Sequence, residues 1–155
     1  MMSMFLNEAT KLRAQTIIKG LEKRNMHGVF CATKEDALKQ ALSYIKEGSS
    51  VSWGGSMSVS EIGLMDALKE GNYQLIDRSV AKNFDEQREI FSKAVLSDYF
   101  LMSSNAITLD GELINIDGTG NRVACLSYGP KHVIMIVGMN KVVNDVEDGI
   151  KRVRN

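Results

Sequence analysis

Proline and cysteine are both scarce in this sequence, and each scarcity narrows the class of protein. The one proline, Pro130, leaves no proline-rich linker, and there is no repeat or low-complexity tract. A chain of 155 residues is then expected to form a single domain over residues 1–155. The two cysteines, Cys31 and Cys125, do not form a C-x-x-C pair. We therefore expect no disulfide framework and no metal site, and two buried or unreactive thiols instead.

The sequence also lacks an excess of one charge and lacks long apolar runs. It has 19 basic and 19 acidic residues, which disfavours nucleic-acid binding because such proteins normally carry a basic excess. Zero net charge gives little repulsion between copies and is compatible with a homo-oligomer. No run approaches the roughly 18 apolar residues of a membrane span. Residues 1–6 are apolar but lack the features of a signal peptide, so the sequence predicts a cytoplasmic protein without membrane contact.

Apolar periodicity predicts helices that alternate with short strands. The predicted helices cover residues 7–25, 33–48, 58–71, 84–96, 122–128 and 145–154. The first three are expected to begin at the N-caps Asn7, Thr33 and Ser58. The predicted strands cover residues 29–32, 50–53, 73–76, 99–102 and 132–137, and a hairpin covers 106–109 and 112–116 around Asp110-Gly111. This order predicts a three-layer, Rossmann-like α/β fold: a mainly parallel sheet with helices on both faces, plus one β-hairpin.

A glycine and serine turn follows the predicted strand 50–53. Ligands of open parallel sheets bind beyond the carboxyl ends of the strands, and this turn lies at such an end. Its residues are Gly54, Gly55, Ser56, Met57 and Ser58. Backbone N–H groups at a helix N-terminus, together with serine hydroxyls, predict an anion or phosphate site. The turn is neither a Walker A loop nor a G-x-G-x-x-G motif, and the alternative is a plain turn followed by an ordinary cap.

Further polar residues are predicted at the same edge of the sheet. They are Asp77, Arg78, Ser104, Asn105, Gly118, Gly120, Asn121, Arg122, Asn140 and Lys141, with Glu112 just past the hairpin turn. Arg122 is suited to bind a carboxylate or phosphate through two hydrogen bonds, and Lys141 adds positive charge. The alternatives are a structural ion pair for Asp77-Arg78 and ordinary solvated side chains for the rest. The histidines His27 and His132 lie near strand starts, so no histidine-activated nucleophile is predicted.

Three segments of the sequence are distinctive in combination. They are residues 52–63, residues 104–123 and residues 129–142. The most specific features are the hairpin segment Asn105-Ala106-Ile107-Thr108, the turn Gly120-Asn121-Arg122 and the pair Asn140-Lys141. In their order and spacing these segments resemble the LUD domain of lactate-utilisation proteins, from about residue 7 to the end of the chain.

The resemblance implies a fold of the ribose-phosphate isomerase, glucosamine-phosphate deaminase and CoA-transferase type. In that superfamily a glycine and serine loop after an early strand often holds a phosphate or CoA-like group, and Gly54 to Ser58 is the corresponding loop here. The resemblance also implies a role in the oxidation of L-lactate to pyruvate, in which LUD proteins accompany iron–sulfur subunits. Glu112 is then the candidate catalytic general base, with Arg122 and Lys141 binding anionic groups. No cofactor is evident.

Two other functions stay open at this point. One is a non-catalytic assembly or regulatory subunit of an iron–sulfur lactate-oxidising complex, and the other is an inactive domain. Similar stand-alone members continue into a segment with several cysteines. The sequence up to Asn155 does not include that segment, so no metal role is carried over from it.

Overall fold

The computed structural model describes the backbone of residues 2–154 and the side chains of residues 7–154. The chain divides into two compact units. Unit 1 consists of Met1–Asp36, Ser104–Ile116 and Val137–Asn155, and unit 2 consists of Ala37–Ser103 and Asp117–Ile136. The expectation of one domain stays a prediction. Among the described residues, no helix combines the length and the apolar character that a membrane crossing requires.

Unit 2 is built on a parallel sheet of short strands. The strands are β1 (Ser50–Trp53), β2 (Gln74–Ile76), β3 (Tyr99–Met102) and β6 (His132–Met135), in the spatial order β2-β1-β3-β6. Val51 lies opposite Leu75 on one side and Tyr99 on the other. The predicted mainly parallel sheet is therefore confirmed, at the predicted segments of the chain.

Helices cover both faces of this sheet because successive side chains of a strand point to opposite faces. The helices are α2 (Lys34–Tyr44), α3 (Met57–Glu61), α4 (Leu64–Glu70), α5 (Phe84–Val95) and α6 (Asn121–Ser127). Leu101 of β3 packs with apolar residues of α2, α3 and α4. Its neighbours Phe100 and Met102 pack with residues of α5 and α6. The predicted three-layer arrangement is therefore confirmed in unit 2.

Several helix boundaries in unit 2 differ from the prediction. The predicted helix 58–71 is divided into α3 and α4, because Gly63 adopts a φ of 76° that a continuous helix does not allow. Ser56, not Ser58, is the N-cap of α3, and its Oγ accepts a hydrogen bond from the N–H of Val59 at 3.3 Å. Ser58 lies inside the helix because the extended backbone needed for a cap occurs two residues earlier, directly after the glycines. The predicted stop of α2 at Gly48 is also wrong, because the helix already ends at Tyr44.

Unit 1 contains a smaller sheet and two helices. Strand β4 (Ala106–Thr108) pairs antiparallel with β5 (Leu113–Ile114) and parallel with β7 (Val142–Val143). Gly111 has a φ of 80° in the hairpin turn, a conformation that favours glycine, and the predicted hairpin is confirmed. The helices are α1 (Met2–Glu22) and α7 (Val146–Arg154). The two-residue strand β7 has no sequence prediction because it is too short to show a periodic pattern.

Two predictions in unit 1 are wrong. Helix α1 covers Met2–Glu22, so Asn7 lies within it and does not cap it. Residues 29–32 form no strand, and the side chain of Val29 is 47% exposed, so this apolar run pairs with no sheet. The cap at Thr33 is confirmed, since its Oγ1 accepts a hydrogen bond from the N–H of Asp36 at 3.0 Å.

Asp98 links two neighbouring strands at the start of β3. Its Oδ2 accepts hydrogen bonds from the N–H and the hydroxyl of Ser50, both at 2.8 Å, and its Oδ1 accepts one from Lys131 Nζ at 2.6 Å. Lys131, followed by Ser50, holds the pKa of Asp98 well below its ordinary value of 3.8. A lowered folded-state pKa means that the carboxylate stabilises the fold above its unfolded pKa, and that this contribution is lost as the pH falls through the folded pKa.

We expect Asp98→Asn to lower the melting temperature at neutral pH, with a difference from the parent that shrinks as the pH falls below about 4. Thermal unfolding followed from about pH 7 to about pH 2 measures this. The matched control is Asp66→Asn, because Asp66 forms an exposed ion pair with Lys69 at 3.4 Å. A difference that stays constant over the whole pH range contradicts the role assigned to the Asp98 carboxylate.

Candidate functional site

The carboxyl ends of β2, β1 and β3 lie at one edge of the sheet of unit 2 because these strands run parallel. Asp77, Gly54 and Ser103 are the first residues beyond these three strands. Ser52 lies opposite Ile76, so β1 and β2 end within one residue of the same level along the sheet. This edge of unit 2 is the candidate site.

The glycine and serine turn between β1 and α3 is open on one side. Gly54 is buried and its N–H donates to the carbonyl of Leu101 at 2.9 Å, which extends the strand ladder by one bond. Gly55 is exposed, and a Cβ added there would meet no atom within 4 Å. Met57, the first residue of α3, is 80% exposed. The N–H groups of a first helical turn lack intrahelical acceptors. That of Val59 is bonded to Ser56, and the exposed residues Gly55 and Met57 leave the turn open to a ligand.

Arg122 is held in a buried ion pair in unit 2. Its Nε lies 2.7 Å from Oδ1 of Asp117, and the two side chains are only 13% and 7% exposed. Oδ2 of Asp117 accepts a hydrogen bond from the N–H of Val123 at 2.7 Å, and Nη1 of Arg122 donates to the carbonyl of Ser103 at 2.9 Å. The charge of Arg122 is thus balanced by Asp117, and the role of Arg122 is to hold neighbouring residues in place.

The aliphatic stem of Arg122 also explains why the first residue of the turn is glycine. A Cβ on Gly54 would lie 2.7 Å from Cγ and 2.9 Å from Cδ of Arg122. Arg122, held in place by Asp117, therefore packs against the buried side of the turn at Gly54. Sequence reasoning missed Asp117. The available signal was an acidic residue ahead of a glycine-rich helix start, five residues before an arginine.

Arg78 differs from Arg122 in its surroundings. Its Nε is buried and has no hydrogen-bond partner among the described residues. Asp77 does not pair with it, and instead caps the short 3-10 helix Arg78–Val80 by accepting from the N–H of Ser79 at 2.8 Å. Burial raises the pKa of the Cys125 thiol, and the positive charge of Arg78 acts in the opposite direction and lowers that pKa. Arg78 is therefore the better placed of the two arginines to attract an anion.

The remaining predicted residues of unit 2 form the entry to α6. Gly120 is the N-cap residue, with a φ of 74°, and Asn121 is the first residue of the helix. A Cβ added to Gly118 would meet no atom within 4 Å. These residues supply a sharp, open turn between Asp117 and Arg122, which lets the two side chains meet.

Glu112 lies in unit 1, where its carboxylate is occupied. Its Oε2 accepts a hydrogen bond from Oγ1 of Thr108, and its Oε1 lies 3.2 Å from Nη2 of Arg24. Glu112 and Arg24 are 37% and 39% exposed. These contacts hold the hairpin against α1, which is a structural role. The role of Glu112 as a general base stays a prediction.

The other predicted residues of unit 1 also make local structural contacts. Oγ of Ser104 donates to the carbonyls of Ala106 and Ile114 at 2.7 and 3.0 Å, and Oδ1 of Asn105 accepts from the N–H of Ile116 at 3.2 Å. These contacts stabilise the open end of the hairpin.

Asn140 and Lys141 lie in a short 3-10 helix, Met139–Lys141. The N–H of Lys141 donates to the carbonyl of Gly138 at 3.0 Å. The predicted site residues thus fall into a unit 2 group around the glycine turn and a unit 1 group around the hairpin.

The two thiols are free and neither is activated. Burial raises the pKa of Cys125, and burial followed by the charge of Asp36 raises the pKa of Cys31. Within residues 7–154, no group of three or more His, Cys, Asp or Glu side chains is placed to hold a metal ion.

The chain is thus an α/β protein built on a parallel sheet, with a glycine turn at the carboxyl edge of that sheet. The chain belongs to the LUD domain family, whose model matches residues 14–155. No curated protein and no solved structure matches the chain.

Proposed function

We propose that this LUD-domain protein is cytoplasmic, belongs to a system that oxidises L-lactate to pyruvate, and binds a small anionic metabolite or phosphate at the turn Gly54–Ser58. The observation that carries the binding proposal is the geometry of the turn. Gly55 is exposed with open space where a side chain would be, directly before the capped start of α3 at the carboxyl end of a parallel strand. Carboxylates and phosphates accept hydrogen bonds from N–H groups in such turns.

The charges around the turn support an anion as the ligand. Arg122 is neutralised by Asp117, so it contributes little net field. Arg78 has no carboxylate partner among the described residues, and it follows the strand adjacent to the one that precedes the turn. Arg78 therefore adds a positive charge without a carboxylate partner in the described part of the chain at the carboxyl edge of the sheet, and such a charge favours a carboxylate or phosphate group.

The link with lactate rests on the family. L-lactate and pyruvate each carry one carboxylate, the group that an N–H-lined turn and an arginine bind. Glu112 remains the proposed general base, and it lies in unit 1, where Thr108 and Arg24 contact its carboxylate.

A second candidate function is a non-catalytic assembly or regulatory subunit beside iron–sulfur partner subunits, or within a homo-oligomer. Exposed apolar side chains in unit 2 favour it. Leu96 at the end of α5 is 79% exposed and Tyr128 at the end of α6 is 88% exposed. A partner surface that covered these side chains would gain the free energy of burying their apolar area.

Thermal unfolding with L-lactate, pyruvate or phosphate tests the binding proposal. A ligand at about 100 times its Kd raises the free energy of unfolding by about 2.7 kcal/mol. We expect such an increase for the parent and for Gly55→Ala, since a methyl group fits the open space. Gly55→Glu should abolish the increase with L-lactate or pyruvate, because a carboxylate at the turn repels the ligand.

The control for Gly55→Glu is Asn72→Asp, which adds the same charge near the start of β2, at the opposite edge of the same sheet. It should retain the full response to each ligand. If none of the three ligands stabilises the parent protein, the binding proposal fails and the assembly function is favoured. If Gly55→Glu responds as the parent does, the ligand binds elsewhere.

A further inference from the structure

A cleft of about 420 Å³ lies in unit 1 between the second half of α1 and the hairpin turn. Its lining residues are Thr16, Lys19, Gly20, Lys23, Arg24 and Asp110. None of these residues belongs to the site proposed above. The volume falls within the roughly 300–1,000 Å³ of small-molecule sites.

The walls of the cleft are fixed to each other by close backbone contact. A Cβ on Gly20 would lie 2.2 Å from the carbonyl oxygen of Asp110, so helix and turn meet with no side chain between them. Arg24 strengthens this junction, because its Nη1 donates to the carbonyls of Gly20 and Asp110 at 3.1 and 2.6 Å. The cleft is therefore formed in advance and does not depend on a loose loop.

The charges in the cleft are mainly positive. Lys19 and Lys23 are four residues apart and lie on the same side of the helix end. Their ammonium groups form no hydrogen bond or ion pair with any described residue, whereas the guanidinium of Arg24 is balanced by Glu112. Asp110 is the one acidic residue among the residues that line the cleft. Two lysines without ion-pair partners among residues 7–154 thus line the cleft together with a single acidic residue.

We propose that this cleft is a second ligand site, for a small molecule that carries both a phosphate group and a hydroxyl group. Paired lysines bind phosphate as point charges. The carboxylate of Asp110 would repel the phosphate but accept a hydrogen bond from a hydroxyl group. It therefore orients the ligand with its phosphate toward Lys19 and Lys23.

The competing explanation is that the lysines only complement the negative end of the α1 dipole. That explanation predicts lower stability without Lys19 and Lys23, and no ligand binding. The experiment must therefore report the place of binding as well as stability.

We would titrate the whole protein with inorganic phosphate and with glycerol 3-phosphate, and follow the backbone amides in proton–nitrogen correlation spectra at low ionic strength. Both ligands should shift the amides of residues 19–24 and 110–111. Lys19→Ala/Lys23→Ala should weaken binding there about tenfold or more. The control Lys11→Ala/Lys46→Ala removes the same charge from two exposed positions and should bind as the parent does.

Asp110→Asn provides a test in the opposite direction. Asn-Gly favours the same hairpin turn as Asp-Gly, so the cleft should remain intact. Phosphate should bind several-fold tighter because a negative charge is removed, and the preference for glycerol 3-phosphate over phosphate should disappear.

Three results would overturn the proposal: no amide shift in the cleft, equal binding by the two double variants, or no effect of Asp110→Asn. Shifts at residues 54–58 report the other site separately, so either site can fail without the other.

Discussion

Asp117→Ala is expected to lower the free energy of unfolding by about 3–5 kcal/mol, because it leaves the largely buried guanidinium of Arg122 without the carboxylate that balances its charge. The two side chains are 13% and 7% exposed, so water cannot replace the lost carboxylate. The same substitution removes the acceptor for the N–H of Val123. The substitution should therefore destabilise both the start of α6 and the packing of Arg122 against Gly54.

Chemical denaturation of a double-mutant cycle measures this effect. Arg122→Met should also be costly because it leaves the carboxylate of Asp117 buried, while the double variant Asp117→Leu/Arg122→Met should cost less than the sum of the two. Asp66→Ala, which breaks an exposed pair with Lys69, is the control and should cost less than about 1 kcal/mol. Additive effects in the cycle would show that Arg122 and Asp117 do not act as a pair.

Gly20→Ala is expected to destabilise the protein by about 3 kcal/mol, which reverses the usual sign of the substitution. Within a helix, alanine is normally more favourable than glycine by about 1 kcal/mol. Here the added Cβ would lie 2.2 Å from the carbonyl oxygen and 2.4 Å from the carbonyl carbon of Asp110. Backbone atoms cannot rotate away as a side chain does, so α1 and the hairpin must separate.

Urea denaturation of Gly20→Ala and Gly118→Ala provides the comparison. Gly118 has open space where a Cβ would lie, so its substitution should be neutral or slightly stabilising, by up to about 1 kcal/mol. If Gly20→Ala is as stable as the parent, the close contact between α1 and the hairpin turn is wrong. The cleft proposed beside it would then lose its fixed wall.

Local patterns located most of the elements in the sheet of unit 2. Strand β3 is recognisable because Phe100, Leu101 and Met102 are all apolar, as expected when both faces of a strand are covered. The hairpin is recognisable because Asp110-Gly111 favours its turn. In both cases the signal lies within a few consecutive residues.

The wrong predictions occur where local sequence permits more than one structure. The apolar residues from Val29 to Ala32 resemble a strand, but no neighbouring strand pairs with them. Ser56 and Ser58 are both acceptable caps by residue type, and the backbone conformation after Gly55 selects the first. Strand pairing and backbone geometry depend on the rest of the chain, so residue type alone does not decide them.

In the candidate sites, too, some features follow from local sequence and others depend on tertiary contacts. The residues of the glycine turn are consecutive, so the sequence was sufficient to indicate them and to identify the LUD family. The difference between the two arginines depends on distant partners, because Arg122 meets Asp117 and Ser103 whereas Arg78 keeps an unpartnered Nε. The cleft in unit 1 likewise requires residues 16–24 and Asp110 to meet. Charge balance and cavity shape are set by side chains far apart in the chain, and only folding brings these together.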